Sequence, residues 1–342
     1  MSEFAKAVVR WQTVHGRTGL PWQGTRDPYR VWLSEIMLQQ TQVSSVLVYF
    51  DRFLARFPTV QSLAEADLDA VMGLWSGLGY YSRARNLHRC ARDVVERFGG
   101  QFPETAELLM TLPGIGRSTA AAIAAFCFAQ RVAILDGNVK RVLTRYLGFD
   151  RDLAKSANER ELWHRATDLL PAEPGSMGRY TQGLMDLGAT VCVPRQPQCM
   201  HCPVGLSCEA RRAGDVERFP VKTRKVRRSS QALWLLWARQ SPGQIWLSRR
   251  PTNGIWAALY SFPAYSSLAD LLGTLPEPLR QHASPGEPFL HVLTHRDLYL
   301  HPVTVDWTGP GSPGGEGAWY APAQWAELGL PAPVRQLLTQ AA

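Results

Sequence analysis

The chain has 342 residues, enough for two or three domains with real cores, and its apolar share of 45% is ordinary for a globular protein. Its formal charge is +8, but residues 229–342 hold six Arg, no Lys and seven acidic groups, so residues 1–228 carry about +9. No apolar run approaches the roughly 18 residues that span a bilayer, so an integral helical membrane protein is excluded, and the basic first part points to a polyanionic partner. The start, MSEFAKAVVRWQTVHGR, lacks a basic-then-apolar signal layout. A cytoplasmic location is therefore expected.

Helical spacing opens at Asp27-Pro28, where Asp is a good cap and Pro suits a first helical position. The pattern predicts one helix over 28–55, then helices over 62–75, 82–98 and 104–111. LPGIGRSTAAAIAAFCFAQ reads as a turn and an Ala-rich helix, followed by helices over 138–147, 156–170 and 176–189. Nothing before residue 230 alternates with period two, so the first two-thirds read as all-α. The stretch 209–230 holds eight Lys or Arg and three acidic residues and reads as an exposed linker. Beyond it, ALWLLWAR, QIWLSRR and FLHVLTHRDLYLHPVTV read as strands and TGPGSPGGEG as a loop, giving a separate α+β domain.

Four of the six cysteines fall inside CVPRQPQCMHCPVGLSC: Cys192, Cys199, Cys202 and Cys208. In a reducing compartment such a set means metal or redox chemistry rather than disulfides. The compact C-x6-C-x2-C-x5-C spacing leaves both zinc and a [4Fe–4S] cluster open. His201 reads as a solvated loop histidine, and Cys90 and Cys127 as buried fillers in helices.

Leu112-Pro-Gly-Ile-Gly116 lies between two helical patterns. Gly114 and Gly116 permit a tight turn whose N–H groups can face a phosphate, although a plain helix–helix turn is also compatible. In ILDGNVKR, Asp136 precedes a helix; it is either a cap alone or a carboxylate kept ionised by the helix N-terminus. In VWLSEIMLQQTQ, Glu35 sits among apolar residues, where burial would keep it protonated. Gln39 and Gln42 would share its helical face, so a solvated polar stripe stays open for that segment. Together, one neutral and one ionised carboxyl form the arrangement that breaks glycosidic bonds. GLGYYSRARN joins glycines, two tyrosines and two arginines, a composition suited to close approach to DNA or to a loop with core tyrosines.

These motifs, with PW at 21–22, SEIMLQQTQV, LDGNVKRVL and MDLGATVC, closely resemble the adenine DNA glycosylases of the MutY family, in the helix-hairpin-helix superfamily that includes endonuclease III. The match covers about residues 20–210; a weaker one beyond 230 includes GIWAALYSFP. The resemblance implies a mainly α fold: an N-terminal helix over 1–20 packing with the cluster domain, and a six-helix barrel over 21–130. An iron–sulfur cluster domain over 131–210 and a basic linker over 211–230 follow, then a Nudix-like α+β lesion-recognition domain over 231–342. It also implies one [4Fe–4S] cluster on Cys192, Cys199, Cys202 and Cys208, shaping a DNA-binding loop that contains Arg195.

The implied activity is removal of adenine mispaired with 8-oxoguanine or guanine in double-stranded DNA, by a monomeric, nucleoid-associated enzyme. By the same resemblance, Glu35 protonates adenine at N7. Asp136 stabilises the oxocarbenium ion, directly or through a covalent intermediate. Gln40 fills the space left by the base, Tyr80 stands on the lesion side, Gln182 contacts the flipped adenine and Asn138 supports the sugar. Ser118 stands where lyase-active relatives carry a Schiff-base lysine, so base removal without efficient strand cleavage is expected. Lys140, one turn after Asp136, could give weak adventitious trapping. The C-terminal domain lacks a G-x5-E-x7-RE-x2-EE-x-G box and reads as a recognition module without the usual magnesium site. Where the family often carries Phe-Ser-His, this chain has Leu293-Thr294-His295: the hydroxyl is kept and the aromatic face is not. The rival readings are an endonuclease III-like glycosylase/lyase for oxidised pyrimidines, against which Ser118 and the extra domain argue, and a non-catalytic cluster-bearing DNA-binding protein, against which the joint presence of Glu35 and Asp136 argues.

Overall fold

The computed structural model describes residues 2–223, 228–308 and 311–340. In chain order the helices are α1 (Glu3–His15), α2 (Pro28–Leu38), α3 (Val43–Arg56), α4 (Val60–Glu65), α5 (Leu68–Trp75), α6 (Ser82–Phe98), α7 (Ala106–Leu109), α8 (Arg117–Phe128), α9 (Gly137–Leu147), α10 (Ser156–Asp168), α11 (Met177–Thr190) and α12 (Glu209–Arg212). Strands β1 (Ser229–Gln240), β2 (Gln244–Arg249), β3 (Tyr260–Ser261) and β4 (Ala264–Tyr265) follow, then α13 (Leu268–Thr274) and α14 (Glu277–Arg280). The chain ends with β5 (Ser284–Pro285), β6 (Phe289–Val292), β7 (Arg296–Asp306), β8 (Gly317–Tyr320), α15 (Pro322–Ala326) and α16 (Ala332–Gln340). Two compact units form: residues 1–64 with 89–225, and residues 65–88 with 226–342.

The first unit is helical. Asp27 caps α2 by accepting from the Tyr29 N–H at 2.9 Å, and Pro28 starts the helix without needing a donor. Helix α2 lies against α8, α8 against α11, and α11 against both α1 and α9. Buried alanines over 120–125 let α8 approach its neighbours closely. At Gly188 a Cβ would sit 2.7 Å from the Asn138 Cβ, so only glycine allows α11 to meet the start of α9. The core joins Phe4, Val8, Leu143, Leu162, Tyr180 and Leu187.

The helix expected over 28–55 is two helices. The chain breaks over 39–42, where Gln40 takes a left-handed φ of 57° and Gln42 becomes the cap position of α3. Gln39 and Gln42 therefore do not continue the helical face of Glu35. Apolar periodicity runs on both sides of the break, and the polar run between contains no Gly or Pro to mark it. The pattern over 62–75 likewise splits into α4 and α5.

The second unit is an α+β domain built on a mixed sheet. Its main order is β3-β2-β1-β7-β5; β4 also pairs with β1, β6 with β7 and β8 with β2. Strands β1 and β7 run parallel from Ser229↔Arg296 to Arg239↔Asp306. Leu236, Trp246, Val303 and Val305 pack with Leu271 and Leu275 of α13 and its C-cap. ALWLLWAR lies in β1, QIWLSRR spans β2, and FLHVLTHRDLYLHPVTV forms the β6–β7 hairpin. Residues 309–310 of the expected loop lie outside the described residues.

Residues 65–88, expected within the barrel over 21–130, form α5 and the start of α6 and also pack with the sheet unit. Asp69 accepts from Arg249 Nη2 at 2.9 Å and from the Tyr260 hydroxyl at 3.0 Å. The Tyr81 hydroxyl donates to Leu330 O at 2.8 Å, and Arg85 Nη1 to Ala257 O at 2.7 Å. Helical periodicity reports that these residues bury a face, not which distant segment covers it.

The start of the supposed linker is also packed. Ala210 and Phe219 are buried with Cys208, Arg145 Nε donates to Phe219 O at 3.2 Å, and the Leu153 N–H donates to Val221 O at 3.0 Å. A single Phe amid charge was too little apolar pattern to reveal this strap. Residues 224–227 lie outside the described residues. Phe219→Ala is expected to destabilise the helical unit by about 3 kcal/mol in denaturant titrations; an unchanged midpoint would return residue 219 to the exposed linker.

Candidate active site and thiol-lined loop

Glu35 and Asp136 reach the same recess of the helical unit from α2 and from the cap of α9. Glu35 lies among buried Trp32, Ile36 and Met37, with part of its own side chain still accessible. Burial first, then the nearby Asp136 charge, pushes its carboxyl up to about 8. Asp136 Oδ1 accepts from the Val139 N–H at 2.7 Å. Its carboxyl was expected to stay low. Burial instead raises it, and the Val139 and Asn138 N–H groups, Arg141 and Lys140 only partly oppose that rise. The two carboxyls thus form a coupled pair in unequal settings. Four groups favour the anion at Asp136, whereas at Glu35 both causes favour the proton. The two settings thus favour the proton at Glu35 and the charge at Asp136, the division that departure of a glycosidic leaving group uses.

The surrounding residues fix this arrangement. Ser118 Oγ accepts from the Leu135 N–H at 3.2 Å, holding the residue before Asp136. Asn138 Oδ1 accepts from Arg141 Nη2 at 2.8 Å. Lys140 is ion-paired with Glu159. Gln182 Nε2 donates at 2.9 Å to Asp186, which is fully buried and paired with Arg17. Gly114 turns the hairpin at a φ of 78°, and Gly116 caps α8 with open space before it. Gln40 is exposed in the break after α2.

In the sheet unit, Tyr80 and Thr294 come together: their hydroxyls lie 2.7 Å apart, both residues exposed. Thr294 and exposed His295 form the turn of the β6–β7 hairpin, closed by the Leu293 N–H donating to Arg296 O at 2.8 Å. Arg228 donates to the Leu293 and Thr294 carbonyls and pairs with Asp297, bracing the turn. Sequence reasoning missed Arg228 because it sits in the basic run read as linker.

Cys192, Cys199, Cys202 and Cys208 line one cavity with Val142, Leu187 and Val204. N–H groups of Val204 face Cys202, those of Ala210 and Arg211 face Cys208, and Arg145 Nη1 lies 3.4 Å from Cys192 Sγ. Burial pushes the Cys202 thiol up to about 12. Among the described residues no trio of Cys, His, Asp or Glu gathers tightly enough to hold a single metal ion. The four-sulfur donor set, with N–H groups and a guanidinium facing the sulfurs, fits an iron–sulfur cluster. Arg145, buried in α9, also donates to Val193 O at 2.7 Å and Pro194 O at 2.9 Å, bracing the loop that exposes Arg195. A charged residue inside an apolar helical face was the available signal for it.

The helical unit with its hairpin and paired carboxyls, followed by the sheet unit, defines a base excision glycosylase frame with an appended Nudix-type domain. The sequence profile of the HhH-GPD superfamily base excision DNA repair proteins matches residues 33–167, and that of the NUDIX domain matches residues 233–340. An adenine DNA glycosylase of Buchnera aphidicola from Schizaphis graminum is 33% identical over 98% of this chain and 97% of its own. The human adenine DNA glycosylase is 37% identical over 77% of this chain and 58% of its own. A thermostable thymine-DNA glycosylase of known structure shares 29% identity at a TM-score of 0.55, covering 61% of this chain and 95% of that one. The chain belongs to the adenine DNA glycosylase (MutY) family. Among the described residues no helix is long and apolar enough to cross a membrane.

The raised Glu35 carboxyl makes a stability prediction. Its native state binds the proton more tightly than the unfolded chain, so stability is lost as pH rises from the ordinary 4.5 through about 8. Glu35→Gln removes that loss. The variant is expected to match the parent at pH 4 and to exceed it by about 2–4 kcal/mol at pH 9, after allowance for partial exposure. Parallel stability curves in calorimetry at the two pH values would contradict the burial of this group.

Proposed function

We propose that this chain is a monofunctional base excision repair glycosylase that hydrolyses the N-glycosidic bond of adenine mispaired with 8-oxoguanine or guanine in double-stranded DNA. The carrying observation is the pair of carboxyls in unequal settings, Glu35 raised by burial and by the Asp136 charge, and Asp136 held by two N–H groups with Arg141 and Lys140 near it. The target adenine leaves the stack, since its reacting atoms are unreachable inside a duplex, and Gln40 fills the gap. Glu35 donates its proton to N7 as the C1′–N9 bond breaks and the bonding pair leaves with adenine. Asp136 stabilises the oxocarbenium-like sugar, and Asn138 supports it. Water adds at C1′, and its proton returns to the carboxyl pair.

Other residues take supporting roles. The Gly114–Gly116 turn receives a backbone phosphate at the start of α8, and Arg195 meets the backbone from the thiol-lined loop. Tyr80 and Thr294 supply adjoining hydroxyls to the lesion, beside His295. Gln182 contacts the flipped base. A serine at 118 cannot form a Schiff base, and Lys140 is engaged by Glu159. Cys192, Cys199, Cys202 and Cys208 would hold a [4Fe–4S] cluster, which supplies a rigid scaffold for the basic loop.

Single-turnover assays on four duplexes, with and without hot alkali, test this reading. Alkali-dependent cleavage of the adenine strand is expected opposite 8-oxoguanine and guanine, and none for 8-oxoguanine:C or thymine glycol:A. The rate should fall about tenfold per pH unit above about pH 8, as Glu35 loses its proton, and Glu35→Gln should bind the mismatch without releasing base. Alkali-independent nicking at thymine glycol would place the chain with the lyases instead. Binding without any cleavage would remove catalysis from the account.

A further inference from the structure

The turn between α5 and α6 holds three residues at positive φ: Gly77 at 105°, Gly79 at 71° and Tyr80 at 49°. Glycine takes such angles freely, whereas a tyrosine takes them at a cost and stays there only where its surroundings dictate it. Side chains from the flanking helices supply that constraint. Trp75, the fully buried last residue of α5, donates from Nε1 to Gly79 O at 3.0 Å. Arg83, buried in the first turn of α6, donates from Nη2 to the Leu78 and Gly79 carbonyls, each at 3.2 Å. Its backbone N–H donates to Tyr80 O at 2.8 Å and closes the turn.

The same guanidinium lies over two rings, with Cζ 5.2 Å from the Trp75 ring centre and 5.6 Å from that of Tyr80. Such a cation is attracted by the ring faces, more strongly where water is excluded. Burial lowers Arg83 only to about 10, so it stays cationic at neutral pH. Tyr80 is still 44% exposed, and its hydroxyl meets Thr294 Oγ1 at 2.7 Å. One buried cation therefore holds both the backbone that aims Tyr80 and one face of its ring. Lysine, a compact and strongly hydrated point charge, cannot reproduce the planar fork and the stack together.

We propose that Arg83 is a positioning residue for lesion recognition: it presets Tyr80 in its left-handed turn, so that the Tyr80–Thr294 hydroxyl pair is assembled before DNA arrives. The inference rests on reading that pair as the lesion contact. 8-Oxoguanine offers an N–H at position 7 and a carbonyl at position 8, and guanine offers neither, so adjoining hydroxyls have partners on the lesion that the normal base lacks. A contact set in advance spends less of its gain on ordering side chains, and more of it reaches discrimination. Arg83 acts through Tyr80 and touches no part of the reaction itself.

The test compares the full-length protein, Arg83→Lys, Tyr80→Ala and the double variant on 8-oxoguanine:A and guanine:A duplexes. Arg83→Lys is expected to lower the 8-oxoguanine-to-guanine ratio of kcat/KM about tenfold, while kcat on guanine:A stays within about twofold. In the Tyr80→Ala background the same substitution should leave the ratio unchanged, the non-additivity that marks action through Tyr80. An unaltered ratio in a folded Arg83→Lys protein, an equal loss on both duplexes, or full additivity of the two changes would overturn the proposal. Should that variant fail to fold, three-bond couplings of isotope-labelled Tyr80 in the unmodified, DNA-free protein decide: a single χ1 rotamer supports the preset ring, and rotamer averaging overturns it. If Tyr80→Ala itself keeps the full ratio, the lesion reading fails and takes the inference with it. If Tyr80→Ala lowers the ratio and Arg83→Lys does not, the inference fails alone.

Discussion

The helical unit is organised around an electrostatic constraint: two carboxyls are held in one recess, and only one can readily be an anion. Burial raises both Glu35 and Asp136, and the Asp136 charge raises Glu35 further. The asymmetry comes from the backbone. The first turn of α9 points N–H groups at Asp136 and places Arg141 and Lys140 nearby, while α2 surrounds Glu35 with apolar side chains. Much of the remaining framework serves this difference. Ser118 anchors the residue before Asp136, glycine at 188 allows α11 to approach, and α8 packs against both α2 and α11.

The sheet unit has a different organising contact. Residues 65–88 belong to it by packing, so Tyr80 stands with the hairpin turn that carries Thr294. Asp69, Tyr81 and Arg85 attach that segment to the sheet, and Arg228 braces the turn. The proposed lesion-reading pair is thus assembled within one unit from stretches more than two hundred residues apart in the chain. Exchange of an aromatic residue for Leu293 leaves this pair intact, because the hydroxyl contact depends on the turn geometry and on Thr294.

Sequence carried much of this because several signals are local. The Asp27-Pro28 start, the hairpin glycines, the capping position of Asp136 and the four cysteines each state a requirement within a few residues. The apolar setting of Glu35 also foretold its raised carboxyl. The sign for Asp136 was misjudged because a helix N-terminus is visible in sequence and depth of burial is not. The break at Gln40 escaped notice because no Gly or Pro marks it. Arg17–Asp186 and Arg228 were silent for a common reason: each works through partners far away in the chain, and periodicity does not name partners.

The most direct test of the central claim is the titration of Glu35 itself. Infrared difference spectra of the unmodified protein against Glu35→Gln isolate one carboxyl stretch across the pH range. The account predicts a protonated carboxyl at neutral pH, converting to carboxylate with a midpoint near 8. A carboxylate already formed by pH 6 would contradict it, since Glu35 would then have no proton to give to the departing base.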